Sequence, residues 1–123
     1  MNLFLDTSTL FKLYHEEEGT KEIDQFIESN DVDHFYVSEI TKVEFTSAVF
    51  KKVRMNEITN EQAKGLIKLF AKDWKNFTVI EFNSELFDKA ASLLEMHWER
   101  GLRTLDAIQL ASALAVKKGY SCG

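Results

Sequence analysis

The sequence predicts an α/β protein of three layers, α/β/α, in which a short parallel sheet is covered by pairs of helices. Three short apolar segments, at residues 2–5, 35–37 and 77–82, are typical of strands, and two stretches with helical periodicity follow each of them. Strands that are separated by helices cannot pair as hairpins, so they pair in parallel and bury both faces against helices. The predicted order is β, α, α, repeated three times.

The first repeat contains the strand with the clearest pattern. Asn2-Leu3-Phe4-Leu5 is almost wholly apolar, as expected of a strand that is buried on both faces. It ends at Asp6, and the Thr7-Ser8-Thr9 cluster that follows can cap a helix. Apolar residues at helical spacing predict that this helix extends to Gly19 and that a second helix begins at Thr20.

The second and third repeats follow the same plan. Their predicted elements are a strand over 35–37, helices over 40–55 and 59–74, a strand over 77–82, and helices over 84–99 and 104–118. Asn83 or Ser84 is predicted to cap the fifth helix and Thr104 the sixth, which Gly119 closes.

Length and composition indicate one domain, residues 1–123, large enough to bury a core without disulfides. The single cysteine, Cys122, excludes a disulfide scaffold and a cysteine-based metal site, so a reducing cytoplasm is expected. No signal peptide and no membrane-spanning run is recognisable. The net charge of −5 is not that of a protein that binds nucleic acid by charge alone.

Asp6 directly follows the first strand, which predicts its carboxylate at the carboxyl edge of the sheet, where ligands bind in such folds. The alternative is that Asp6 is only a helix cap or turn residue. Two related classes are excluded. Aspartyl-phosphate phosphatases need a second Asp where Ser8 stands, and receiver domains need an acidic pair at this edge.

Glu44 is the second candidate acid. It lies near the start of the third helix on a largely apolar, small-residue arc with Ile40, Ser47, Ala48 and Lys51. No basic residue stands three or four positions away. A carboxylate that faces a packed arc needs a cation from elsewhere in the fold. The alternative is that the Glu44 side chain reaches water.

Asp106 is the third candidate acid, in the first turn of the last predicted helix. The helix dipole favours an acid there, and Arg103 is near enough in sequence to pair with it, so a structural role is the alternative. Alanines at positions 107, 111, 113 and 115 let this helix press closely against the sheet. Such packing would bring Asp106 toward Asp6.

Three carboxylates in one crevice repel one another unless a cation lies among them. Oxygen ligands select hard ions, and a sparse set of carboxylates suits Mg²⁺ or Mn²⁺, which keep several waters and accept phosphate oxygens. The pattern therefore predicts that Asp6, Glu44 and Asp106 are both metal ligands and catalytic residues, acting on a phosphodiester with metal-activated water. A zinc site is not expected, because the three histidines share no ligand spacing.

Three sequence blocks together resemble the PIN domain family, in particular the VapC-type toxins of toxin/antitoxin pairs. The blocks are Leu5-Asp6-Thr7-Ser8-Thr9-Leu10, Ser38-Glu39-Ile40-Thr41-Lys42-Val43-Glu44 and Leu105-Asp106-Ala107-Ile108-Gln109-Leu110-Ala111. The resemblance implies a PIN-like fold and a Mg²⁺-dependent endoribonuclease whose acidic cluster includes Asp6, Glu44 and Asp106. It also implies a homodimer and inhibition by a small antitoxin protein that covers the site.

The sequence departs from the family at its C-terminus. Family members usually continue into another strand, a Thr or Ser, and a further acidic residue, whereas this sequence ends at Gly123. We therefore expect a PIN-like domain shortened at its C-terminus. Two alternatives to an active RNA nuclease follow: a degenerate PIN domain that binds RNA or protein without cleavage, and an unrelated α/β domain whose acids are ordinary caps.

Basic residues concentrate in the middle of the chain. Lys64, Lys68, Lys72 and Lys75 form a stripe on the fourth predicted helix, and Lys51, Lys52 and Arg54 lie on the helix before it. A solvated helix face is the favoured interpretation. The alternative is a surface that follows a phosphate backbone.

Overall fold

The computed structural model describes residues 1–117 and confirms the α/β class. Its elements, in chain order, are β1 (Asn2–Phe4), α1 (Thr7–Tyr14), α2 (Thr20–Ser29), β2 (His34–Ser38), α3 (Thr41–Arg54), α4 (Asn60–Asp73), β3 (Thr78–Ile80), α5 (Ser84–Met96) and α6 (Thr104–Lys117). Single 3₁₀ turns follow α4 and α5. None of the helices within this part of the chain combines the length and hydropathy that crossing a bilayer requires.

The element boundaries differ from the predicted ones by a few residues. β3 is only three residues long because its flanks leave the sheet for a 3₁₀ turn before it and for the cap of α5 after it. Thr104 is the first residue of α6 rather than its cap, since the Ala107 amide already donates to the Arg103 carbonyl at 2.9 Å. The predicted end of this helix at Gly119 lies outside the described residues.

The strands of residues 1–117 form one parallel sheet in the order β1-β2-β3, which confirms the predicted pairing. Leu3 is in register with Phe35 in the first pair of strands, and Val37 with Val79 in the second. The carboxyl ends of all these strands therefore lie at one edge of the sheet. α1 and α3 begin within three residues of the ends of β1 and β2, so their first turns lie at that edge.

Alternating side chains of the strands pack into a core on each face of the sheet. On one face, Leu5 and Val37 pack with α1, α3 and α4. On the other face, Tyr36 and Ile80 pack with α5 and α6. Because successive side chains of a strand point to opposite faces, consecutive apolar residues such as Tyr36 and Val37 put apolar side chains into both cores. The three-layer arrangement is thus confirmed.

Phe45 of α3 is the centre of the first core. It is fully buried, its ring stacks on Phe70 with centroids 4.0 Å apart, and it also contacts Phe11 and Tyr14 at 5.7 and 5.1 Å. These contacts join α1, α3 and α4. They fix the orientation of α3, the helix that carries Glu44.

Replacing Phe45 with alanine should lower the free energy of unfolding by about 3–5 kcal/mol, because it leaves a cavity among rings that cannot all move inward. Urea unfolding followed by circular dichroism measures this. Val43→Ala is the matched control on the same helix, where Val43 is 67% exposed, and it should change stability by less than about 0.5 kcal/mol. Equal effects of the two substitutions would contradict this assignment of the core.

Tyr14 provides a pH-dependent test of the packing of α1 on α4. Its hydroxyl donates to Asp73 at 2.8 Å, and burial together with this hydrogen bond raises the pKa of Tyr14 above its usual value. The folded chain therefore retains the phenolic proton above about pH 10, where the unfolded chain loses it, and stability falls as pH rises. The stability advantage of the wild type over Tyr14→Phe should be full at pH 8 and should shrink between about pH 10 and 11.5. A constant difference in unfolding free energy would contradict this account.

Candidate active site

A cleft of about 910 Å³ opens at the carboxyl edge of the sheet, between α1, α3 and α6. Asp6, Glu44 and Asp106 all line it. They come from different repeats of the chain. Asp6 and Glu44 follow β1 and β2, whose carboxyl ends share one edge of the sheet, and the packing of α6 on the sheet and α5 brings Asp106 there. The cleft is where the sequence predicts the ligand site.

Asp6 caps α1 and also faces the cleft. Its Oδ1 accepts a hydrogen bond from the Thr9 amide at 2.8 Å, and the extended backbone at Asp6 is that of an N-cap residue. Its Oδ2 accepts no hydrogen bond from residues 1–117. Asp6 is therefore a helix cap, but the cap uses only one of the two carboxylate oxygens and does not exclude a role in the cleft.

Glu44 is half-buried and hydrogen-bonded to neutral donors. Its Oε1 accepts from the Thr7 hydroxyl at 2.8 Å and from the Gln109 side-chain amide at 2.6 Å. Within the described part of the chain no lysine or arginine pairs with Glu44. The neutral donors Thr7 and Gln109 stand where the sequence predicts a cation. Hydrogen bonds to an ionised acceptor are about twice as strong as neutral ones, and here they fix the carboxylate in place.

Gln109 links three helices through one side-chain amide. Besides Glu44 of α3, its Nε2 lies 3.0 Å from the hydroxyls of both Thr7 of α1 and Thr41 of α3. Thr41 is fully buried, and its hydroxyl lies 3.3 Å from the Thr7 hydroxyl, whose single proton is donated to Glu44. The Gln109 Oε1 atom is buried without a hydrogen-bond partner among residues 1–117.

Sequence reasoning missed Thr7, Thr41 and Gln109 as members of the site. A signal was present for Gln109, which stands about one helical turn after Asp106 and one turn before Ala113. A polar side chain on the face that turns toward a sheet needs a partner in the fold. The identity of that partner requires tertiary structure.

Asp106 lies in the first turn of α6, is exposed, and faces the cleft. The predicted pairing with Arg103 is not among the ion pairs of the described residues. The expected close packing is present, since Ala107 and Ala111 are buried in the core against the sheet and α5. This packing brings the first turn of α6 to the same edge as Asp6.

The carboxylates of this cleft are separate rather than clustered. Within residues 1–117, no three Asp, Glu, His or Cys side chains lie close enough to hold one metal ion together. The donors that face the cleft are nevertheless carboxylate and hydroxyl oxygens, which suit Mg²⁺ or Mn²⁺. Mg²⁺ is usually bound through one or two carboxylates and several waters, so the donor set fits it.

Lysines line the cleft where it extends along α3. Lys52 is paired, with its ammonium 2.9 Å from Glu57 and 3.7 Å from Glu17, and the hydrogen bond to Glu57 raises the pKa of Lys52. Lys51 also lines the cleft, is exposed, and forms no ion pair with residues 1–117. The predicted stripe on α4 is exposed and lies outside the cleft lining.

Fold and cleft together define a small α/β/α domain with acidic residues at the carboxyl edge of a parallel sheet. The family model for the PIN domain matches residues 3–117, and the chain belongs to the PIN domain family, whose members are generally nucleases. Its fold is similar to that of a chain in the crystal structure of VapBC2 from Rickettsia felis bound to a promoter DNA fragment, with a TM-score of 0.64 and 16% identity over 95% of this chain and 83% of that one. A search of curated proteins finds no match.

Replacing Gln109 with leucine should lower the free energy of unfolding by about 1–3 kcal/mol, because its two N–H groups no longer donate to the Glu44 carboxylate and the neighbouring threonine hydroxyls. In a double-mutant cycle with Glu44→Gln, the coupling energy should lie between about 0.5 and 3 kcal/mol. Urea unfolding of the four chains gives both numbers.

The control is Gln25→Leu, the same substitution at an exposed position of α2. It should change stability by less than about 0.5 kcal/mol. A Gln109–Glu44 coupling energy near zero would contradict the hydrogen bond on which the site geometry depends.

Proposed function

We propose that this chain is a Mg²⁺- or Mn²⁺-dependent endoribonuclease and the toxin of a type II toxin/antitoxin pair. The observation that carries the proposal is that Asp6, Glu44 and Asp106 line one cleft in a chain of the PIN domain family. Carboxylates at the carboxyl edge of a parallel sheet are suited to hydrolysis of phosphodiesters with a hard cation.

In this proposal Asp6, Glu44 and Asp106 are the catalytic residues and hold the metal ion. Because no three carboxylates within residues 1–117 lie close enough to bind one ion directly, some of them hold it through its bound waters. When bound, the ion supplies an activated water and stabilises charge on the phosphate in the transition state. The cap hydrogen bond orients the Asp6 carboxylate and leaves Oδ2 available to the cleft. Thr7 and Gln109 orient Glu44 through Oε1, which leaves Oε2 without a hydrogen bond to residues 1–117.

The proposed partners are an RNA substrate, a small antitoxin protein and a second copy of this chain in a homodimer, in the cytoplasm. The similarity to a chain of a VapBC2 complex supports an antitoxin partner. Exposed apolar residues on the cleft rim also support a protein partner, because Val43 of α3 and Leu105 and Leu110 of α6 are 67%, 46% and 39% exposed. An antitoxin segment that covered these residues would also cover the acids.

A second candidate function is a degenerate PIN domain that binds RNA without cleavage. The observation that favours it is that no three metal-ligating side chains lie together within residues 1–117. The two functions make the same binding prediction and differ in whether a labelled RNA is cut. Cleavage assays with and without a divalent ion therefore separate them.

Asp6→Asn should abolish RNA cleavage while preserving the fold. Asparagine is as good an N-cap as aspartate but has no charge for a metal ion, so the α1 cap persists while the proposed ligand is lost. We expect wild-type cleavage of a labelled RNA to need Mg²⁺ or Mn²⁺ and to fall by about 100-fold or more in the variant. Thermal unfolding of both chains checks that the fold is preserved.

The matched control is Asp88→Asn, at an exposed position of α5 outside the cleft lining. It should cleave at the wild-type rate. Cleavage that persists in EDTA and in Asp6→Asn would contradict the proposed mechanism, whereas RNA binding without cleavage by the wild type would favour the degenerate alternative.

A further inference from the structure

The cleft carries opposite charges at two positions along one helix face. Glu44, Ser47, Ala48 and Lys51 stand at positions i, i+3, i+4 and i+7 of α3, and all of them line the cleft. This spacing places them on one face of the helix, with Lys51 two turns beyond Glu44. The face therefore begins with an acid, continues with two small residues, and ends with a cation.

We propose that Lys51 binds a backbone phosphate of a single-stranded RNA, which thus lies along α3 with its scissile phosphate near the acids. The proposal rests on the function proposed above. It adds the path of the substrate strand along α3 and a residue that binds it. Seven residues of helix span about 10 Å. At 3.4 Å or more per nucleotide, Lys51 lies within about three nucleotides of the scissile phosphate.

Two lysines of the described residues line the cleft, and Lys51 is the one that forms no ion pair within residues 1–117. The Lys52 ammonium is neutralised by Glu57 and Glu17, and Lys12 lies 3.6 Å from Glu17. Lys51 forms no ion pair with the described residues although the whole chain carries a net charge of −5. An unpaired ammonium that faces a cleft is a ready contact for a phosphate, because binding disrupts no existing ion pair.

The small residues between the two charges favour a strand of nucleic acid as the occupant. Ser47 and Ala48 project little beyond the helix, so the space above them is open. A sugar-phosphate backbone can follow such a strip with one phosphate at the proposed metal and another at Lys51. A partner protein that contacted only the apolar rim would leave the Lys51 charge without a contact.

The test measures RNA binding in the Asp6→Asn chain, which retains the cleft but is not expected to cut. A labelled random-sequence single-stranded RNA of 12 nucleotides is titrated with Asp6→Asn, and with the same chain carrying Lys51→Ala or Lys68→Ala, at several salt concentrations with Mg²⁺ present. Lys68 is exposed on α4 outside the cleft lining and is the matched control.

Lys51→Ala should weaken binding several-fold and reduce the slope of log affinity against log salt by about 0.7, the value for one phosphate contact on a single strand. Lys68→Ala should change neither. Lys51→Arg should restore the slope, because arginine also carries the charge.

The inference is overturned by equal affinity and slope in Lys51→Ala and Lys68→Ala, by a loss of affinity with an unchanged salt slope, or by no detectable RNA binding in the Asp6→Asn chain. If only a protein partner binds over Ser47 and Ala48, no RNA binding will be detected. The proposed function is tested separately through metal-dependent cleavage by the wild type. Its failure and the failure of the Lys51 contact are therefore distinguishable.

Discussion

The site depends on one hydrogen-bonded side chain, Gln109. Its amide joins Glu44 of α3 to the Thr7 hydroxyl of α1 and to the buried Thr41, so that helices from all three repeats meet at one point. A half-buried carboxylate without donors would destabilise the fold or turn toward water. With these donors, Glu44 stays in the cleft and one of its oxygens remains without a hydrogen bond to residues 1–117.

The rest of the fold brings these helices to one place. A parallel sheet puts the carboxyl ends of its strands at one edge, and the stacked rings of Phe45 and Phe70 fix α3 against α4 on one face. On the other face, the alanines of α6 let its first turn approach that edge. The cleft thus lies between helices that pack on opposite faces of the same sheet.

Much of the fold and part of the site could be predicted from the sequence. Apolar strands, helical periodicity and acids after β1, after β2 and at the start of α6 are local signals. They predicted the layers, the parallel pairing and three of the residues that line the cleft, Asp6, Glu44 and Asp106. The Asp6 cap was predicted only as an alternative to a role in the cleft. The sequence does not show that one aspartate can both cap α1 and face the cleft. The Glu44 partners were missed, because Thr7 and Gln109 are 102 positions apart in the chain and only the packing of α6 brings them together.

The central claim is that the acids of this cleft hold one divalent cation, partly through its bound waters. The direct measurement is an NMR titration of the backbone-assigned protein with Mn²⁺, which broadens signals near the bound ion. The account predicts that Asp6, Glu44, Asp106 and Gln109 broaden first in the wild type and that this selectivity is lost in Glu44→Gln. Broadening that begins instead at surface acids such as Asp31 and Asp33, or that is the same in both chains, would contradict it.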